Sequence, residues 1–252
     1  MKILINIVSN NFYFHHLEAF LYHVSDLKID LTLRVELVNV PKYKVTWLLN
    51  HDRNYDIQVI ETTLKFSNFE EEKGFCTNRR AYLLSDPVKN SKFDYVCYFD
   101  VNLIILPSLF DLITKNFDKD AFFYLDTCHS SFKKRFWKFK SSKRLGPLGT
   151  PHHMVMKAGV QIYKVGPITN AFLSDYLNTV KPLDRVWYVD QEALYIVLSK
   201  YIDKIDFYNF YTADEVAFNS FSEQAKIIYR KGPISPNLDD YLSQIFYANA
   251  SE

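Results

Sequence analysis

The segment Asp94-Tyr95-Val96-Cys97-Tyr98-Phe99-Asp100-Val101-Asn102-Leu103-Ile104-Ile105-Leu106-Pro107 decides the fold. The apolar and aromatic run Tyr95 to Phe99 reads as a buried strand that stops at Asp100. An acid and an amide, Asp100 and Asn102, then follow two residues apart. At a strand end, residues i and i+2 can point the same way. Two oxygen ligands so placed can hold Mg²⁺ or Mn²⁺, which prefer carboxylate, carbonyl and water. Such an ion bridges a diphosphate and stabilises the charge that builds on a leaving group. The same pair would also serve as plain turn formers after a strand.

Working outward, Pro107 opens a helix that runs to Thr114. Upstream, residues 3–8 are a short apolar strand, residues 12–26 carry Leu17, Phe20, Leu21 and Val24 at helical spacing, and Leu31, Leu33, Val35 and Leu37 alternate with period two. Residues 57–60 form another strand, and Ala81, Leu84 and Val88 predict a helix over 77–89. Downstream come strands at 121–125 and 158–164 and helices at 167–180 and 190–200. Strands alternating with helices predict an α/β fold, a mixed, mostly parallel sheet flanked by helices. Ligands bind such sheets beyond the carboxyl ends of the strands, where residues 100–102 sit.

Composition narrows the function. The 252 residues suit one domain, 1–252, with 205–252 as a C-terminal extension. A net charge of +1 lacks the basic excess of a nucleic-acid binder. Six glycines make neither G-x-G-x-x-G nor G-x-x-x-x-G-K-[ST], which argues against dinucleotide-binding and P-loop proteins. Phosphate binding would then rest on a metal or on cationic side chains. Aromatics at 17% suit a packed core or a groove whose rings stack on sugars. Cys76, Cys97 and Cys128 form no C-x-x-C and fit a reducing, cytoplasmic setting without a disulfide framework. The apolar start, Ile3 to Val8, is too short for a secretory leader, and no run approaches the ~18 apolar residues of a membrane span.

The segment 94–107 resembles the D-Y-V-L-Y-L-D-x-D-x-x-x-L-x-x-L region of GT-A glycosyltransferases, especially the glycogenin-like and lipopolysaccharide galactosyltransferase group. Asn78-Arg79-Arg80-Ala81-Tyr82-Leu83-Leu84 is similar to that group's helix whose basic residue contacts the donor. Ala158-Gly159-Val160-Gln161-Ile162-Tyr163 resembles its N-A-G-V-M-L-F strand, and Asp190-Gln191-Glu192-Ala193-Leu194 its D-Q-D-x-L-N element. Ile227-Ile228-Tyr229-Arg230-Lys231-Gly232 resembles the late I-x-H-x-x-G element. These pieces keep the family's order over residues 78–232.

The resemblance implies a GT-A hexosyltransferase. It would move a hexose from a nucleoside diphosphate sugar, UDP-linked, to a glycan or glycolipid hydroxyl, with retention. It assigns donor contacts to Arg79 or Arg80, Asp100, Val101, Asn102, Lys231 and Gly232, and metal binding (Mn²⁺ or Mg²⁺) to Asp100 and Asn102. Acceptor or sugar contacts fall to Asp126, His153 and Gly159, and catalytic roles to Asp190 and Gln191. Plain readings stand beside these: a solvated helix face for the arginines, an N-cap for Asp190, a packing glycine at 159, a turn at Asp126 and loop positions for Lys231, His152 and His153. Two departures weaken the metal site. Asn102 replaces the second acid, and Tyr229, a phenol of pKa ~10, replaces the late histidine. Without a metal, Arg79, Arg80, Arg230 or Lys231 would have to neutralise the diphosphate.

Residues 132–144 hold seven basic residues, no acid and interleaved aromatics. Three readings fit: a solvated loop over the active site, a peripheral contact with an anionic membrane or lipid-linked acceptor, and nucleic acid, which the near-neutral total disfavours. Two rival functions compete with this one. A nucleotidyltransferase would place a glycine-rich basic loop where Ser9-Asn10-Asn11-Phe12-Tyr13 stands. A degenerate, non-catalytic domain of the same fold would bind a glycan or scaffold a partner.

Overall fold

The computed structural model describes residues 1–25, 27, 29–51, 53–124, 146–150, 158–210, 215–218 and 225–230. Strands β1 (Ile3–Asn10), β2 (Leu31–Val38), β3 (Asp56–Thr62), β4 (Tyr95–Phe99), β6 (Ala121–Phe123), β7 (Val160–Lys164) and β8 (Phe207–Asn209) form one sheet in the order β3-β2-β1-β4-β7-β6-β8. The pairs β3–β2, β2–β1, β1–β4 and β6–β8 are parallel, and β7 runs antiparallel to both its neighbours. A smaller sheet joins β5 (Leu103–Ile105), β10 (Ile227–Tyr229) and β9 (Val216–Phe218) in the order β5-β10-β9. Within 205–230, then, β8 extends the large sheet and β9 and β10 build the small one.

Strand alternation sends side chains to two cores. Ile3, Ile5 and Ile7 of β1 and Cys97 and Phe99 of β4 pack with helices α1 (Phe14–Ser25), α2 (Lys42–Asn50) and α5 (Ser108–Lys115). Leu4, Val8, Val96 and Tyr98 face the other way, toward α3 (Phe69–Leu84), α6 (Pro167–Val180) and α7 (Val189–Tyr201). Each fully buried Leu, Ile or Phe contributes about 1.5–3 kcal/mol relative to exposure. No helix among the described residues is long and apolar enough to cross a membrane.

Two elements differ from expectation. The helix expected over 77–89 begins at Phe69 and ends at Leu84. Asn68 caps it by accepting from Glu71 N at 2.9 Å, and Glu70, Glu71 and Glu72 place negative charge in its first turn. It stops because Pro87 disfavours helix at the residue before it, and a separate turn, α4 (Pro87–Asn90), follows. In β2 the polar positions between the apolar ones are buried too. Thr62 Oγ1 donates to Glu36 Oε1 at 2.8 Å, and Arg79 Nε lies 2.9 Å from both Glu36 oxygens. Helix α3 is thereby pinned to the sheet by a charged pair as well as by apolar contact.

Candidate active site

Parallel β1 and β4 are neighbours that run to the same end of the sheet, with Asn6 opposite Tyr98, so β1 continues to Asn10 past the point where β4 gives way to Asp100. There a cleft of about 270 Å³ opens, lined by Asn10 and Tyr13 from β1 and its turn, Asp100, Val101 and Asn102 from β4 and its loop, and Trp187 and Gln191 from the start of α7. The remaining wall is one face of α3, where Lys73, Cys76, Thr77 and Arg80 fall at helical spacing. Burial pushes the Cys76 thiol up to about 12, which leaves it unreactive.

Arg80 lies at the floor. It is almost wholly buried; its Nε donates to Thr77 O at 2.7 Å and lies 3.3 Å from Asp190 Oδ2, and its Nη2 donates to Asp100 Oδ1 at 3.3 Å. Its guanidinium also lies over the Tyr98 ring, 4.7 Å from the centroid. Burial works against its charge, but Asp190 and Asp100 together outweigh burial and hold its pKa above the usual value. Asp190 is fully buried, and burial, against the pull of Arg80, raises its carboxyl to about 6. Neither carboxylate oxygen of Asp190 makes a hydrogen bond of good geometry among the described residues. Asp190 therefore sits behind Arg80 and off the cleft wall, while Gln191 lines it. As the second residue of α7, Asp190 is not its N-cap.

The approach to α7 is held by Asn78, which is fully buried. Its Nδ2 donates to Leu183 O, Asp184 O and Val186 O at 3.3, 3.0 and 2.9 Å, and its Oδ1 accepts from Asp190 N at 3.0 Å. Between these anchors Tyr188 adopts φ 82°, the left-handed region that costs a bulky residue about 1–3 kcal/mol. The crowding is close enough that a Cβ on Gly74 would strike the backbone of Arg185 and Trp187. Lys73 Nζ lies 3.6 Å from the centroid of the half-exposed Trp187 ring, joining helix and loop at the cleft mouth.

The Asp100–Asn102 turn is tied on both sides. Asp100 N donates to Gly159 O at 2.9 Å, and Leu103 N donates to Asp100 O at 3.0 Å. Arg230 N donates to Asn102 O at 3.0 Å, and Asn102 Nδ2 donates to Arg230 O at 3.3 Å. That bond commits the amide nitrogen and leaves Asn102 Oδ1 as the acceptor. Asp100 Oδ1 is taken by Arg80, and Oδ2 rests over Gly159, where a Cβ would collide with it. Tyr229, in place of the expected histidine, brings its hydroxyl to 3.1 Å from that same Cβ position. Among the described residues no three His, Cys, Asp or Glu side chains converge as metal ligands. The oxygens of Asp100 and Asn102, with the excess negative charge of two acids on one arginine, are of the hard type that a divalent cation takes.

Of the residues singled out in the sequence, the structure brings Arg80, Asp100, Val101, Asn102 and Gln191 together in the cleft. Arg79, next to Arg80 but turned about 100° around the helix, is held by Glu36 instead. Gly159 underlies Asp100. Asp126, Cys128, the basic segment 132–144, His152, His153, Lys231 and Gly232 lie outside the described residues. The sequence reading missed Asn78, Lys73, Thr77, Tyr13 and Trp187. Stepping back one helical face from Arg80 finds Thr77 and Lys73; nothing local marks the other three.

No family model and no curated protein matches the chain. Solved structures do. The galactosyltransferase LgtC in complex with donor and acceptor sugar analogues superposes with TM-score 0.55 at 13% identity, covering 100% of this chain and 96% of that one. An active-site mutant of LgtC gives 0.55 at 11% identity, covering 98% and 96%. The apo structure of the bifunctional glycosyltransferase WbbM gives 0.60 at 13% identity, covering 97% of this chain and 49% of that one. The chain therefore has the GT-A glycosyltransferase fold, as the sequence led us to expect.

Proposed function

We propose that the protein transfers a hexose from a UDP-linked sugar to a hydroxyl of a glycan or glycolipid, with retention at the anomeric carbon. One observation carries the reading: the line Asp100–Arg80–Asp190 at the floor of the cleft, with contacts of 3.3 Å on either side of Arg80. It fixes the Asp100 carboxylate at the strand end and leaves one negative charge for a cation to offset. Asp100 and Asn102 are the residues to hold Mn²⁺ or Mg²⁺ beside the diphosphate. When bound, the ion would supply Lewis-acid stabilisation of the leaving diphosphate. Asp190 acts through Arg80 as a positioning residue. Gln191 offers an amide donor and acceptor to sugar hydroxyls, and Lys73 a charge for phosphate at the mouth. Tyr13 and Trp187 present rings on which a base or a sugar face can rest.

Asp100 is the single carboxylate among the described residues lining the cleft. Retention rests on the resemblance of residues 78–232 to the retaining group. The acceptor's position is proposed from the sequence: the basic segment 132–144 would meet an anionic lipid surface or a lipid-linked acceptor at the cytoplasmic face.

A second reading, a glycan-binding domain without turnover, is favoured by the Arg80 guanidinium on one Asp100 oxygen, an interaction that needs no metal. The test is release of UDP from UDP-hexoses with and without Mn²⁺, in the presence of candidate acceptors. Acceptor-stimulated, metal-dependent release supports the transferase. Glycan binding without release of UDP under any condition supports the second reading, and the absence of both UDP release and glycan binding overturns both.

A further inference from the structure

Away from the cleft, β2 carries a buried charge that its neighbours do not neutralise. Arg34 is 2% exposed. Its Nε donates to Gln58 Oε1 at 3.2 Å, and its Nη1 faces Asn90 Oδ1, Asn6 Oδ1 and Leu83 O at 3.2, 3.4 and 3.5 Å. Every one of these acceptors is neutral. Nη2 has no hydrogen-bond partner among the described residues. Asp86 acts on Arg34 from a distance, but its carboxylate is ion-paired with Lys89 at 3.0 Å. A guanidinium cannot escape burial by losing its proton, so a counter-charge is the remaining way to offset it.

Arg34 lines a cavity of about 290 Å³ with Gln58, Val88, Lys89 and Lys92, sharing no residue with the cleft. Three of these five carry positive charge and none is acidic. We propose that this cavity is an anion site that takes a phosphate group, either free phosphate or the phosphate of a small phosphomonoester. Lys92 supplies a mobile point charge, Lys89 a second once it turns from Asp86 to the anion, and the guanidinium a fixed one. Gln58, already holding Arg34 Nε, keeps an amide nitrogen to donate. Burial lowers the Arg34 pKa, and Asp86 opposes that only in part. The site is independent of the transferase reading.

The experiment is thermal unfolding of the full chain in inorganic phosphate, in glycerol phosphate and in chloride at matched ionic strength. At ten times its Kd, phosphate should raise the wild-type midpoint by about 3–6 °C. Arg34→Met removes the central charge but risks the fold, so the decisive protein is Lys89→Ala/Lys92→Ala. Both lysines are exposed, and the variant should keep its chloride midpoint within about 2 °C. It should lose the phosphate-dependent rise. A rise with inorganic phosphate alone identifies free phosphate as the ligand, and an equal or larger rise with glycerol phosphate identifies a monoester. The absence of a phosphate-specific rise in the wild type, or an equal rise in the double variant, overturns the proposal.

Discussion

Gly159→Ala tests the construction of the cleft floor. Gly159 carries no left-handed φ, so the requirement for glycine comes from close approach alone. A Cβ there would overlap Asp100 Oδ2, lie 2.9 Å from Asp100 Cγ and 3.1 Å from the Tyr229 hydroxyl. Asp100 cannot simply swing aside, because its other oxygen is held by Arg80 at 3.3 Å and its N–H by Gly159 O at 2.9 Å. Overpacking of this kind costs about 1–3 kcal/mol. For a chain of 252 residues that lowers the melting midpoint by roughly 2–12 °C, at about 2–4 °C per kcal/mol. The discriminating assay is a double-mutant cycle, with calorimetric unfolding of wild type, Gly159→Ala, Asp100→Ala and the double variant. Without the Asp100 carboxylate the two closest obstructions to the added methyl are gone, leaving the Tyr229 hydroxyl at 3.1 Å, and its cost should drop below about 0.5 kcal/mol. The coupling energy should then equal most of the single-variant cost. Additive effects, with Gly159→Ala equally costly in the Asp100→Ala background, would refute the reasoning.

Asn78→Ala removes one donor group from three carbonyls and one acceptor from Asp190 N, at a cost of about 1–3 kcal/mol. Amide exchange across residues 183–190 should quicken more than exchange in β1; unchanged protection there would contradict the anchoring role. Asp190 has a folded-state pKa of about 6, above the ~4 of an unfolded aspartate. The folded protein therefore holds the extra proton. This group's contribution to stability is full below pH ~4 and is lost as pH rises to about 6. Asp190→Asn should flatten that segment of the stability–pH curve, and superimposable curves would show that the carboxyl does not titrate there. Transfer should also fall as pH drops below about 6, when Asp190 no longer holds Arg80 by charge.

The strand Tyr95–Phe99 and its loop were legible because a five-residue apolar run ending in an acid has few other readings. Helix α6 was legible from Pro167 at its first turn and its apolar spacing. Helix α2 was missed because only Val45 and Leu48 are buried, too few to mark a face. Strands β5, β9 and β10 are three residues each, shorter than any periodicity, and β5 and β10 find each other across more than a hundred residues of chain. The site was half legible. Sequence offered Arg79 and Arg80 as equals, and the turn between adjacent helix positions sends one to Glu36 and the other to Asp100. The D-Q pair was visible at 190–191, but not that Asp190 would be sealed behind Arg80 while Gln191 alone reaches the cleft. Asn78 stood in the 78–84 stretch, but its anchoring role was not legible, since its partners lie 105–112 residues away.

The most direct test of the donor site is calorimetric titration of UDP into wild type and Asp100→Ala, each with and without Mn²⁺. The account predicts Mn²⁺-dependent binding to the wild type that weakens at least about tenfold, or about 1.4 kcal/mol, in Asp100→Ala. No UDP binding to the wild type, or equal binding by both proteins, would contradict it.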